Sequence, residues 1–232
     1  MTQKILVVGE NSKLAKDFIN ITKSNQNINL VSCSHNEVPA DINNFDYVVN
    51  FSFNPKMYSE DYKKKLDQDL FLAELIKNTQ AKFLMISSRQ VYGIHEDLYL
   101  FKETTEINPI RITNYGLNKL KSEKNIADSL GDESRLIICR SSNIFGAELG
   151  FRNFLDIALI SLIEHGFISL DLNRKVIKDF LSVRFHSKFI ESLIINNASG
   201  IFNIGSGVQI SLQDVCDALI SGFGLGYIKD ND

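Results

Sequence analysis

Short apolar runs alternating with amphipathic stretches decide what this chain can fold into. "KILVVG" (4–9), "INLVSCS" (28–34), "FDYVVNFSF" (45–53), "AKFLMISS" (81–88) and "SRLIICRSS" (134–142) have the length of strands buried on both faces. Between them, "KLAKDFINITKS" places Leu14, Phe18 and Ile21 at helical spacing, and "DYKKKLDQDLFLAELIKNT" (61–79) and "NYGLNKLKSEKNIADSL" (114–130) also read as helices. Strands that alternate with helices need crossover connections, and crossovers give a parallel sheet covered on both faces. The predicted fold is therefore α/β, a Rossmann-like doubly wound parallel sheet over residues 1–146. Beyond it, "FRNFLDIALISLIEHG" (151–166) reads as a helix, "KVIKDFLSV" (175–183) and "GIFNIGSG" (200–207) as strands, and "SLQDVCDALISGFG" (211–224) as a helix capped by Ser211. Residues 147–232 thus form a small, shortened C-terminal portion interleaved with the main sheet.

A chain of 232 residues suffices for one large domain and one active site. A composition 44% apolar and 23% charged, without Pro-rich or Gly-rich tracts, predicts folded structure throughout. With a net charge of -3 and scattered basic residues, the electrostatic footprint of a nucleic-acid binder is missing, and Lys63 to Lys65 reads as a solvated helix face. The apolar start is too short for a secretory segment and no window reaches membrane-spanning length, so a cytoplasmic protein without membrane partners is expected. Cys33, Cys139 and Cys216 are too scattered for a disulfide framework or zinc site and read as buried thiols. His35, His95, His165 and His186 lack metal-ligand spacing, and no metal is expected.

Ligands of open α/β sheets bind beyond the carboxyl ends of the strands, which singles out three segments. In "GENSKLA", Gly9, Ser12 and Ala15 stand at the glycine places of a G-x-x-G-x-x-G nucleotide loop, with Lys13 and Leu14 opening the helix behind it. Gly9 suits the tight turn and Ala15 lets the helix approach the sheet. Ser12 adds bulk where backbone would meet a diphosphate, and Glu10 adds a carboxylate that has to turn away. The second segment, Tyr115-x-x-x-Lys119, puts a phenol and an ammonium one helical turn apart. A phenol titrates near about 10, and a neighbouring cation lowers that value toward the range useful for proton transfer. The third is the strand end "SSRQVYG", where the hydroxyls of Ser87 and Ser88 can bond a substrate carbonyl or alkoxide. Each segment has an ordinary alternative: a plain strand-turn-helix, a packed tyrosine beside a solvated lysine, a pair of turn serines. Their conjunction is what points to chemistry.

In that conjunction the chain resembles the extended short-chain dehydrogenase/reductases, the NAD-dependent epimerase/dehydratase group acting on nucleotide sugars. "SSRQVYG" matches S-S-x-x-V-Y-G, Tyr115-x-x-x-Lys119-x-x-x-Glu123 matches Y-x-x-x-K-x-x-x-E, and "RSSNIFG" matches R-x-x-N-x-[YF]-G. "KDFLSV" and "FNIGSG" followed by "SLQDV" match in the same order, over nearly the whole chain. The resemblance implies that Ser88, five residues before Gly93, is the hydroxyl of a Ser-Tyr-Lys triad. It makes Tyr115 the proton donor or acceptor and Lys119 the residue that holds the nicotinamide ribose and lowers the tyrosine pKa. It implies cofactor contacts at Ser34, Asp41, Ile42, Phe51, Ser52, Ser141 and Ser142 beside the loop. Substrate contacts are implied at Arg89, Gln90, Asn143 and Lys178, with residues 147–232 as the substrate-binding portion.

Departures from the pattern narrow the expected reaction. Dehydratases of the group carry Asp-Glu directly after the triad hydroxyl; here Arg89 and Gln90 stand there, which argues against a 4,6-dehydratase. "SCSH" lacks the acid that bonds the ribose of NAD, so Ser34 and His35 favour NADP, with NAD as the alternative cofactor. Lys178 replaces the usual arginine and keeps a cation without the planar fork. The expected partner is a nucleotide-sugar small molecule, in polysaccharide biosynthesis, with a homodimer as an allowed assembly. Three readings stand: a keto-sugar reductase, preferred; a nucleotide-sugar C4 epimerase; and a degenerate, non-catalytic Rossmann binder or redox sensor, which the eroded glycine loop suggests.

Overall fold

The computed structural model describes residues 2–39, 41–94, 100–146, 153–170 and 173–230. Two compact units divide the chain: Met1–Ser141 with Arg184–Ile204, and Ser142–Val183 with Gly205–Asp232. The first runs β1 (Gln3–Val8), α1 (Lys13–Thr22), β2 (Ile28–Cys33), β3 (Tyr47–Asn50), α2 (Gln68–Ile76), β4 (Lys82–Ser88), α3 (Asn114–Leu130) and β5 (Leu136–Ser141). The second holds β6 (Asn143–Phe145), α4 (Phe154–His165), β7 (Phe167–Leu170), β8 (Ile177–Lys178) and β9 (Phe180–Ser182). Through α5 (Val183–Ile195) and β10 (Gly200–Ile204) the chain rejoins the first unit, and β11 (Ile210–Ser211), α6 (Leu212–Phe223) and β12 (Tyr227–Asp230) complete the second.

Six strands pair in parallel in the order β10-β5-β4-β3-β1-β2, the doubly wound Rossmann-like sheet that the alternation predicts. Ile5 to Val8, Val48, Val49 and Phe83 to Met85 are fully buried, because helices cover both faces and leave no polar side to the strands. Each such side chain contributes about 1.5–3 kcal/mol of burial. Strand order reverses between β1 and β3, and that switch point opens a crevice at their carboxyl ends. The loop after β1 and the segment after β3 meet there. In the second unit Ala158, Leu162, Ile168, Leu170, Leu212 and Cys216 form a separate core. Ser211 and Asp214 close a capping box on α6, as the sequence predicts for Ser211.

Four local readings need correction. The helix expected over 61–79 starts only at Gln68, because the Asp67 carboxylate accepts the Leu70 N–H at 3.1 Å and caps it there. Lys64 and Lys65 lie in a single 3-10 turn before it, so the lysine run is not a helix face. "KVIKDFLSV" is two short strands interrupted at Asp179, and its last residue opens α5. The sequence reading has no counterpart for α5, whose buried face mixes Ile190, Leu193 and Ile194 with His186 and Ser187 and so blurs the apolar stripe. The short strands β7 and β12 are likewise unanticipated. The predicted helix at 151–166 begins at Phe154 behind the Asn153 cap. Its first two residues, the expected boundary at 146/147 on its C-terminal side, and His95 lie outside the described residues. All three cysteines are buried and free.

Candidate active site

The end of β4 separates the two serines of "SSRQVYG". Ser87 donates to Glu123 at 2.5 Å, and Glu123 accepts Arg140 Nη2 at 2.7 Å. Arg140 lies 4.9 Å over the Tyr92 ring, and the Tyr92 hydroxyl donates to Asn203 at 2.8 Å. This buried network holds β4, α3, β5 and β10 in register, and Ser87 serves structure. Ser88 instead accepts the Gln90 N–H at 3.2 Å and lies near enough to the Tyr115 phenol to lower its pKa.

The contact between Ser88 and Tyr115 depends on how closely α3 approaches the turn Arg89–Tyr92. Thr113 caps α3 by accepting the Gly116 N–H at 3.1 Å and donates to the Gln90 side-chain carbonyl at 2.8 Å. At Gly116 a Cβ would stand 2.3 Å from the Gln90 carbonyl oxygen, so only glycine admits this approach. Tyr115 is then stacked on Tyr58 at 4.7 Å and met edge-on by Phe53 at 5.4 Å.

One turn further along α3, Lys119 Nζ donates to Asp69 Oδ2 at 2.9 Å and to the Ile86 carbonyl at 2.8 Å, with the Phe53 ring 5.1 Å away. Burial works against the ammonium, but Asp69, Tyr115 and Asp67 outweigh it, and the Lys119 pKa is raised. Tyr115 moves against expectation. Burial is the strongest influence and raises its pKa; Lys119 pulls down, Tyr58 and Asp69 push up, and the Ser88 hydrogen bond lowers it, leaving the phenol above its ordinary value. The expected lowering fails because burial, with Tyr58 and Asp69 adding to it, outweighs the lysine.

At the switch point Gly9 adopts φ +86, and a Cβ there would lie 2.6 Å from the Ser52 amide nitrogen. Ser12 caps α1, accepting the Ala15 N–H at 3.1 Å, while Ala15 is fully buried against the sheet. Glu10 has turned away from the helix end: its carboxylate accepts the Ser32 hydroxyl at 2.6 Å. Lys13 and Leu14 form the first turn of α1. Ser34 donates to Glu37 at 2.8 Å, so two carboxylates, from Glu10 and Glu37, flank the end of β2 and the expected preference for NADP loses its basis.

Ile42 is buried among Phe45 and Leu70, and the exposed Asp41 accepts from Asn43 and Asn44. Phe51 packs on Phe18 at 5.5 Å, and Ser52 donates to Asn50 through its amide and hydroxyl. Ser141 Oγ lies 2.9 Å from Nε2 of the fully buried His186. Arg89 and Gln90 follow Ser88 in the same turn. Ser142, Asn143 and Lys178 belong to the second unit: the Ser142 hydroxyl is buried without a partner, Asn143 donates to the Asp179 carbonyl at 2.8 Å, and Lys178 pairs with Ile210 in β8 and β11. The Asp179 carboxylate in turn accepts the amides of Ser206 and Gly207 at 3.0 and 2.7 Å.

Sequence reasoning missed Asp69, Asn50, Phe53 and Tyr58. Asp69 had a signal: it stands at i, with Leu72, Ala73 and Ile76 at i+3, i+4 and i+7, so a carboxylate sits on the buried stripe of α2 and needs a buried cation. Phe53 and Tyr58 carried none, since loop aromatics have no period to break.

The sequence profile described as the NAD dependent epimerase/dehydratase family matches residues 10–205. The chain belongs to this family. No curated protein matches. Among solved structures, dTDP-glucose 4,6-dehydratase from Bacillus anthracis in complex with NAD is 16% identical, with a TM-score of 0.81 over 100% of this chain and 86% of that one. The dTDP-4-dehydrorhamnose reductase of Bacillus anthracis in complex with NADP is also 16% identical, with a TM-score of 0.80 over 100% and 85%. UDP-N-acetylglucosamine 4-epimerase from Methanobrevibacter ruminantium in complex with UDP-N-acetylmuramic acid is 15% identical, with a TM-score of 0.77 over 100% and 86%. At these identities the likeness is one of fold.

The family is NAD-dependent, and the loop of this member fits a dinucleotide. The N-terminal end of α1 behind Gly9 has the dipole polarity that suits a diphosphate, Gly9 leaves no side chain in the way, and the Glu10 carboxylate is turned to Ser32 of β2.

Proposed function

We propose that the protein is an NAD(P)-dependent oxidoreductase that reduces a keto group on a nucleotide-linked sugar. The observation that carries this reading is the Ser88–Tyr115 hydroxyl pair beside the buried Lys119, with Arg89 and Gln90 where dehydration would need carboxylates. Bound NAD(P)H supplies the hydride. Gly9, Ser12 and the first turn of α1 hold the diphosphate, and Ser52 and Ser141 line the way to the nicotinamide end. Ser88 donates a hydrogen bond to the sugar carbonyl oxygen and so favours the alkoxide that develops there. Tyr115, kept protonated, delivers its proton to that oxygen, and the charge left on the phenolate is stabilised by Lys119. Arg89 and Gln90, which follow Ser88 in the same turn, are proposed to meet the sugar.

The test is oxidation of NADH and NADPH in the presence of a panel of nucleotide-linked keto sugars, for wild type and Tyr115→Phe. Net oxidation that the variant abolishes supports the reductase. Interconversion of C4 epimers without net cofactor oxidation would establish the epimerase instead. Binding of neither reduced dinucleotide at millimolar concentration would leave the non-catalytic reading.

A further inference from the structure

Asp69 and Lys119 form an ion pair whose side chains are 6% and 4% exposed. A buried pair of this kind rarely stabilises a fold more than apolar residues of the same size would, and here it interrupts the apolar stripe of α2. Its geometry suggests another use. The two carboxylate oxygens are divided between partners: Oδ2 takes Lys119, and Oδ1 takes Asn50 Nδ2 at 2.7 Å. Asn50 Oδ1 accepts the amide and the hydroxyl of Ser52 at 2.9 and 2.6 Å, and the Ser52 amide is the atom against which Gly9 is pressed. A continuous line of contacts runs from the nucleotide loop through Ser52, Asn50, Asp69 and Lys119 to Tyr115.

We infer that Asp69 is a positioning residue for the reaction, fixing Lys119 beside Tyr115 and tying it through Asn50 to the backbone that faces the nucleotide loop. The inference rests on the triad reading above. Its physical content lies in acceptor count and charge. The groups facing Lys119 are Asp69 from α2 and its cap Asp67, Tyr115 from α3, the Ile86 carbonyl of β4 and the Phe53 ring, with Tyr58 stacked on Tyr115. In Asp69→Asn a single amide oxygen has to serve two donors, Asn50 Nδ2 and Lys119 Nζ. Lys119 then stays in a site where burial is the strongest influence, without its principal counter-charge, and gives up its proton as pH rises.

The experiment titrates NADH and NADPH into wild type, Asp69→Asn, Lys119→Met and the double variant, from mildly acidic to alkaline buffer, with melting curves to verify folding. For the reduced dinucleotide that wild type binds more tightly, Asp69→Asn is expected to weaken binding by about tenfold. That loss grows with pH, whereas wild-type affinity stays flat. In the Lys119→Met background the Asp69 change is expected to cost nothing further. Wild-type affinity in Asp69→Asn, or an equal loss in both backgrounds, overturns the inference, since a merely structural carboxylate would cost the same with or without Lys119. If Lys119→Met alone leaves binding and turnover intact, the triad reading fails and the inference with it. Should Asp69→Asn not fold, Asp69→Glu keeps the charge and displaces the oxygens: reduced turnover at pH-independent affinity is expected, and wild-type turnover overturns the proposal.

Discussion

Gly116→Ala tests the closest approach in the site. A Cβ at this position would stand 2.3 Å from the Gln90 carbonyl oxygen, 2.8 Å from its carbon and 3.0 Å from Ile112 Cγ1. Real Cβ atoms hardly ever come within 3.0 Å of such neighbours, so the start of α3 has to retreat from the Arg89–Tyr92 turn by about 0.7 Å or more. Both sides of the clash are backbone, so no rotamer change relieves it. Overpacking of this kind costs about 1–3 kcal/mol, which in a chain of this size lowers Tm by roughly 2–12 °C. The catalytic cost is larger in proportion, because Tyr115 precedes Gly116 directly and is displaced from Ser88 with it. A misplacement near 1 Å costs about 10²-fold in rate. The assay is turnover with NADH or NADPH on an accepted keto sugar, together with a melting curve and a cofactor titration. Turnover should fall by about 10²-fold while cofactor affinity, set at the far side of the sheet crevice, changes little. Gly222→Ala in α6 is the control, since its Cβ meets nothing within 4 Å and should stabilise by about 0.5–1 kcal/mol. Wild-type turnover and stability in Gly116→Ala would refute the claim that this approach sets the triad geometry.

Other substitutions separate the remaining roles. Tyr115→Phe keeps the stack on Tyr58 and removes only the transferable proton, so turnover should vanish with folding and cofactor affinity intact; measurable wild-type turnover would end the proposed mechanism. Glu10→Gln removes one of two carboxylates at the end of β2 and should raise NADPH affinity relative to NADH by about fivefold at low salt, an unchanged ratio meaning that Glu10 does not reach the ribose. His186 is fully buried, and burial lowers its pKa from 6.5 to about 4. The unfolded chain therefore binds a proton that the folded chain refuses between these values, and stability falls as pH drops through that window, by up to about 3 kcal/mol. Urea unfolding across the window should show a steeper loss in wild type than in His186→Gln, and equal slopes would place the acid sensitivity elsewhere.

The sheet was legible because both its faces are covered: β1, β3, β4 and β5 had to be continuous apolar runs, and the crossovers between them had to be helices. Elements whose buried face is polar were not. Helix α5 buries His186 and Ser187 beside Ile190 and Leu193, and a period read from apolar residues alone passes over it. Asp67 delayed the start of the predicted helix for a related reason: as a cap it gains more from the Leu70 N–H than a helix interior would give it, and nothing in "KKKLDQD" distinguishes cap from interior before the chain folds. That Tyr115 and Lys119 lie one turn apart on α3 could be read from spacing, since a helical turn is local geometry, whereas the choice of Ser88 over Ser87 rested on the family resemblance.

What spacing could not supply was the charge state, because it is set by residues distant in sequence. A phenol beside an ammonium predicts a lowered pKa; the same pair with Asp69 bonded to the ammonium and Tyr58 and Phe53 around the ring gives a raised one. The sign matters for direction. A phenol held protonated is ready to give its proton to an alkoxide, which is the step reduction needs, whereas oxidation of an alcohol needs the phenolate first. In the proposed reaction Lys119 stabilises the phenolate left after transfer, and Asp69 is proposed to help keep Lys119 charged.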